Sequence, residues 1–126
     1  MSFDWKLYVQ LAEELITLHQ TGGLQEACLR SALSRAYYGV FCTARNHLKG
    51  RGINIPPVDT HKFVRKEYLT SSDKKDMEIG EHLKRLWKYR KDADYEDSAD
   101  ICVARAKEAI ELAKRTLAKL KEIGAR

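Results

Sequence analysis

Residues 32–42 read Ala32-Leu33-Ser34-Arg35-Ala36-Tyr37-Tyr38-Gly39-Val40-Phe41-Cys42. No period-2 alternation runs through them, and apolar side chains fall on nearly every side of a helical wheel. A helix with that distribution is usually enclosed by other helices, so the stretch predicts a central helix, from about Gln25 to Lys49, inside an all-α fold. On its N-terminal side, Leu7, Leu11, Leu15 and Leu18 recur at helical spacing. They predict a first helix from about Phe3 to Gln20, capped by Ser2, with these leucines as its buried stripe and Thr21-Gly22-Gly23 as its stop.

On the C-terminal side, Gly50-Arg51-Gly52-Ile53-Asn54-Ile55-Pro56-Pro57-Val58 is the clearest loop. Asp59 or Thr60 then opens a short third helix with His61, Val64 and Tyr68 in phase. Thr70-Ser71-Ser72 breaks it, and Ser71 or Ser72 is the expected cap of a fourth helix from about Asp73 to Ala93. The stripe of that helix is Ile79, Leu83, Leu86 and Trp87. Asp97 or Ser98 is the expected cap of a fifth helix, whose seam is Ala99, Val103, Ala106, Ile110, Ala113, Leu117 and Leu120. Long helices with short connections make an up-and-down bundle of about five helices over residues 1–126, a single domain.

The composition agrees. The chain has 126 residues, 44% of them hydrophobic and 33% charged, with two prolines and seven glycines, which suits a helical globular protein and not a disordered one. The formal charge is +5, and the excess lies in the middle third: residues 45–91 hold 13 Lys and Arg against 6 Asp and Glu. Such a concentration suits phosphate contact, or alternatively a set of solvated helix faces. Cys28, Cys42 and Cys102 make an odd count without a CxxC pair. Cys28 and Cys42 lie about 21 Å apart on one helix, and all three are expected as small core residues in a reducing compartment. No basic head precedes an apolar run at the N-terminus, and no apolar stretch is long enough to span a membrane. A cytoplasmic location, without membrane contact, is the expectation.

Arg90 is the next position in phase after Ile79, Leu83, Leu86 and Trp87. A guanidinium on the apolar side of a helix requires a carboxylate, carbonyls, a partner chain or a phosphate. Asp94, four residues on, is one candidate partner; a polar cleft with Arg90 at its floor is the other reading. His47 and His82 are expected on the solvated surface, and His19 near the end of the first helix. His61 either packs at a helix start or reaches the cleft. Of Tyr37 and Tyr38, one packs in the core and the other edges toward a cleft or interface. No ligand spacing joins the histidines, and the acidic run Asp92, Asp94, Glu96, Asp97 and Asp100 lacks the glycine turn of a calcium loop. No metal or cofactor is expected.

Two segments, Leu33-Ser34-Arg35-Ala36-Tyr37-Tyr38-Gly39-Val40-Phe41 and Leu86-Trp87-Lys88-Tyr89-Arg90-Lys91-Asp92-Ala93-Asp94-Tyr95, resemble those of small prokaryotic HEPN domains. The resemblance implies a HEPN-like four-helix bundle plus a short helix, and a homodimer that brings two signature regions into one cleft. It also implies RNA or nucleotide binding, and a toxin–antitoxin-like pairing with a minimal nucleotidyltransferase. Arg90 matches the signature arginine. Active members are metal-independent ribonucleases in which a histidine follows four to six residues later; here Tyr95 stands at that distance and no histidine follows Arg90. Tyrosine titrates about 10 against about 6.5 for histidine, which makes it a weak general base at neutral pH.

The primary expectation is therefore a binding module. Its candidate contacts are Arg90, Tyr95, Arg35, Tyr38, Lys88, Lys91 and His61. The alternatives are a ribonuclease using Arg90 with Tyr95, Asp92 or Asp94, and a structural partner without nucleic-acid contact.

Overall fold

A computed structural model describes residues 3–18 and 21–126; the Ser2 cap, Gln20 and His19 lie outside the described residues. Five helices follow in order: α1 Leu7–Thr17, α2 Gly23–Gly50, α3 Thr60–Leu69, α4 Lys74–Tyr95 and α5 Val103–Glu122. Among the described residues there is no strand. No helix is long and apolar enough to cross a membrane.

α2 is the centre, touching each of the other four helices. Thirteen of its residues are buried, from Leu29 to Leu48, on several sides of the wheel, as the sequence around Tyr37 predicts. α4 packs against α2 on one side and against α3 and α5 on others, and α1 closes the bundle against α2 and α5. The α4 stripe is as expected: Ile79, Leu83 and Leu86 are fully buried and Trp87 is half-buried. In α3, Val64 and Tyr68 are fully buried, and the Tyr68 hydroxyl donates to the Ala44 carbonyl at 2.8 Å.

Helix ends follow local chemistry. α2 and α5 both stop in a Schellman arrangement. Gly52 (φ 85°) and Gly124 (φ 96°) occupy the left-handed position, while the amides of Ile53 and Ala125 return to the carbonyls of Leu48 and Leu120. Asp73, not Ser71 or Ser72, caps α4: its carboxylate accepts from the amides of Lys75 (2.8 Å) and Asp76 (3.3 Å). Ser71 instead accepts from the Asp73 amide and donates to Asp76. Asp76 is 4% exposed and takes a two-pronged grip from Arg51 at 2.8 and 3.1 Å. That hydrogen bond, first, holds the Asp76 carboxyl below its usual range.

Several expectations are corrected. α1 starts at Leu7 and turns a different face inward. Val9 and Ala12 are buried, while Leu7, Leu11 and Leu18 are 44–50% exposed and only Leu15 is half-buried. The reason is Gly39. A Cβ built there would lie 2.8 Å from Val9 Cγ2 and 3.0 Å from the Trp5 carbonyl, so the α1 backbone rests directly on α2 and small residues mark the contact.

α5 begins later than Asp97 or Ser98 would allow. Ile101 is drawn into the core, the chain stays irregular up to it, and the N-cap is Cys102, without a side-chain cap bond. Ala99 lies outside the helix and Val103 is 36% exposed, so the buried seam begins at Ala106. Of the cysteines, only Cys42 is buried; Cys28 is half-buried and Cys102 exposed.

Gly80 meets α3 with even less room than Gly39 meets α1. A Cβ there would lie 2.7 Å from the Leu69 backbone nitrogen and 2.8 Å from Leu69 Cγ. Gly80→Ala is expected to lower stability by about 1–3 kcal/mol, the cost of overpacking. Gly23→Ala, with nothing within 4 Å, should leave stability equal or slightly higher. Urea unfolding followed by circular dichroism reads both, and an unaffected Gly80→Ala midpoint would contradict this packing.

Candidate functional site

The polar residues of α2 that face α3 and α4 assemble one cluster. Tyr37 is fully buried, and its hydroxyl lies 2.6 Å from Nδ1 of His61 at the start of α3. Tyr38, one residue on and about 100° around the helix, is half-buried, and its hydroxyl accepts from Arg90 Nη2 at 2.8 Å. The two tyrosines thus divide as expected. The His61 ring stacks on Phe41 at 4.1 Å and meets Tyr38 edge-on at 5.8 Å.

Arg90 is held within its own chain on several sides. Nε stands 2.9 Å from Asp94 Oδ2, with the Arg90 side chain 14% exposed. Ser34 donates to the same carboxylate oxygen at 3.2 Å, Tyr95 accepts from Nη2 at 3.4 Å, and the guanidinium lies over the Tyr38 and Tyr95 rings. The Arg90–Asp94 contact is a charge pair and not an aligned hydrogen bond: Nε is sealed from solvent and has no acceptor in line with its proton. Arg35 lies 5.0 Å over the Tyr8 ring and 5.5 Å over Tyr38, with no ion pair among the described residues.

The proton on His61 can be placed. Burial pushes the Tyr37 phenol well above its ordinary range, so it remains protonated. It is shut off from water, and its O–H has only Nδ1 as acceptor, since an unmade bond there would cost about 1–3 kcal/mol. Burial first, and then the charges of Arg90, Arg65 and Arg45, lower the His61 pKa. The ring is therefore neutral at physiological pH, accepts at Nδ1 and carries its hydrogen on Nε2. Its one basic nitrogen is occupied.

The other candidates separate. Lys91 lies 4.8 Å over the Trp87 ring, which Arg65 also covers at 4.6 Å. Asp92 faces α5, paired with Arg105 at 2.8 Å, and Lys88 lines a cavity on that same side. Neither joins the Arg90 cluster. His47 and His82, expected on the surface, are half-buried. His82 Nδ1 meets the buried Thr116 hydroxyl at 3.0 Å, and burial lowers the pKa of both rings. Among the described residues no group of His, Cys, Asp and Glu is arranged to hold a metal ion.

Arg30 carries much of the local order and stands out by no sequence motif. From α2 it donates to the carbonyls of Asp92, Ala93, Glu96 and Asp97 at 3.0–3.3 Å, and to Glu26 at 2.9 Å. It supplies the donors that the last turn of α4 otherwise lacks, and so fixes the segment bearing Asp94 and Tyr95.

Comparison of the chain with family models, curated proteins and solved structures gave no match.

The histidine state is open to direct measurement. A long-range 1H–15N spectrum should show His61 as the Nε2–H tautomer, titrating below the ordinary histidine value. Arg90→Gln removes a positive charge beside it and should raise that pKa toward about 6.5. An unchanged pKa would mean that Arg90 and His61 do not share a field.

Proposed function

We propose that this protein is a HEPN-like module that binds RNA or a nucleotide through the Arg90 cluster. One observation carries the reading: the cluster presents hydrogen-bond donors that have no partner among the described residues. They are Arg90 Nη1, the hydroxyl protons of Tyr38 and Tyr95, the Nε2–H of His61 and the Arg35 guanidinium. Asp94 is the carboxylate set among them. A surface rich in cations and donors suits a phosphate diester, which offers only acceptors. The exposed tyrosine ring of Tyr95 and the half-buried ring of Tyr38 suit base stacking.

The occupied Nδ1 of His61 favours binding over cleavage, since no neutral side chain in the cluster has a free basic nitrogen to take a proton from a 2′-hydroxyl.

The same reading includes a homodimer. Leu7 and Leu11 on α1, and Leu18 just after it, lie exposed, and Tyr8 of that helix reaches Tyr38 through Arg35. Burying leucines at about 1.5–3 kcal/mol each would favour pairing of two copies beside the site. A minimal nucleotidyltransferase as second partner rests on the family resemblance; Tyr95, 66% exposed, is accessible to such an enzyme.

Filter binding with single-stranded RNA and with ATP tests the core of the proposal. Binding should weaken with salt. Arg90→Ala and Arg35→Ala should each lower affinity roughly tenfold and reduce the salt slope by about 1. Arg35→Ala breaks no ion pair or hydrogen bond among the described residues, so it separates recognition from folding. Salt-insensitive binding, or both variants matching the parent, would remove the idea.

Leu11→Lys should shift the protein from dimer to monomer in analytical ultracentrifugation while keeping its helical circular-dichroism spectrum. A parent that is monomeric at every concentration would exclude the dimer.

A further inference from the structure

The opposite face of α4 carries a second set of cations. Arg85, Lys88 and Tyr89 point toward α5, about half a turn away from the row of Leu83, Leu86 and Arg90. With Cys102, Arg105 and Glu108 they line a cavity of about 470 Å³. That volume lies within the range of about 300–1,000 Å³ typical of small-ligand sites. The cavity is separate from the Arg90 cluster and does not depend on what that cluster binds.

The lining residues are not equivalent. Arg105 is already satisfied: it pairs with Asp92 at 2.8 Å, donates to the Asp100 carbonyl at 3.1 Å, and lies 5.4 Å over the Tyr89 ring. It therefore builds the wall without adding free charge. Arg85 and Lys88 are exposed, and neither makes an ion pair or hydrogen bond among the described residues. They face one carboxylate, Glu108. Burial first, then the charge of Glu108 and a hydrogen bond toward it, raises the Tyr89 pKa, so the phenol stays neutral and is turned toward Glu108. Its ring and the alkyl stems of Arg85, Lys88 and Arg105 form an apolar wall beside two unpaired cations. The first turn of α5 borders the same space, and its cap, Cys102, supplies no side-chain acceptor, so its leading amides remain open.

We infer that the cavity between α4 and the start of α5 binds a small organic phosphate bearing a planar ring, a mononucleotide by size and chemistry. Arg85 and Lys88 would hold the phosphate. Tyr89 and the alkyl stems would flank the ring, and Glu108 would accept from an amino or hydroxyl group.

Cys102 makes the site readable, being an exposed thiol on the cavity wall, whereas Cys42 is buried and Cys28 lies on α2. The experiment is alkylation of the full chain by iodoacetamide, resolved by peptide mass spectrometry, with AMP as probe and equilibrium dialysis of labelled AMP in parallel. AMP at ten times its dissociation constant should slow Cys102 alkylation by about tenfold, while the Cys28 rate stays constant. Adenosine and inorganic phosphate, each supplying half of the recognition, should protect less. Arg85→Ala and Lys88→Ala alter exposed, unpartnered side chains and should lose the protection while keeping the helical spectrum. Arg90→Ala should retain it, which separates this site from the cluster on the other face.

An unchanged Cys102 rate together with no AMP retained in dialysis would overturn the inference. AMP retained without protection of Cys102 would overturn its placement. Protection by an oligonucleotide but not by AMP would overturn the small-ligand assignment and make the cavity part of a nucleic-acid track.

Discussion

The fold is governed by α2 being enclosed by its neighbours while carrying polar side chains. Polar groups on so enclosed a helix are costly unless met, and four of its side chains find their partners on other elements. Arg30 is met by the carbonyls ending α4, Ser34 by Asp94, Tyr37 by His61 and Tyr38 by Arg90. These contacts select which ends of α3 and α4 lie next to α2, and at what rotation.

The same requirement accounts for the electrostatic character of the cluster. Partners are consumed in pairs, and several donors are left over among the described residues. Asp94 already receives Ser34 and faces Arg90, Nδ1 of His61 receives Tyr37, and the carbonyls at the end of α4 receive Arg30. What projects outward is the remainder, N–H and O–H groups with a positive guanidinium behind them. Because Arg30 anchors the chain on both sides of Asp94, this arrangement is held by backbone and not only by flexible side chains.

Much of the architecture was legible in the sequence. Helix periodicity located all five helices, the all-round apolar stretch identified the central one, and the phase of α4 placed Arg90 on its inward side with Asp94 in reach. What could not be read was rotation and pairing across helices. The leucines of α1 form the better stripe by hydropathy, yet Val9 and Ala12 are buried because Gly39 allows the closer approach, a preference set by shape and invisible to periodicity. Arg30 looked like any helical arginine, since its acceptors lie more than sixty residues away. The position of His61 marks a helix start but says nothing of Tyr37, and Lys88 is close to Arg90 in sequence although the helix sends them to opposite faces. His82 is half-buried because α5 brings Thr116 against its ring, a contact 34 residues away in sequence.

The two tight glycines have different prospects under mutational drift. At position 39 the nearest obstacle is a side chain, Val9 Cγ2, so trimming Val9 relieves part of any added methyl and a compensating change is within reach of a single codon. At position 80 the nearest obstacle is the Leu69 main chain, which no replacement at Leu69 can shrink. The α1–α2 contact can therefore be re-tailored by paired substitutions, whereas the α3–α4 contact is frozen and keeps His61, at the far end of α3, in a constant position relative to α4.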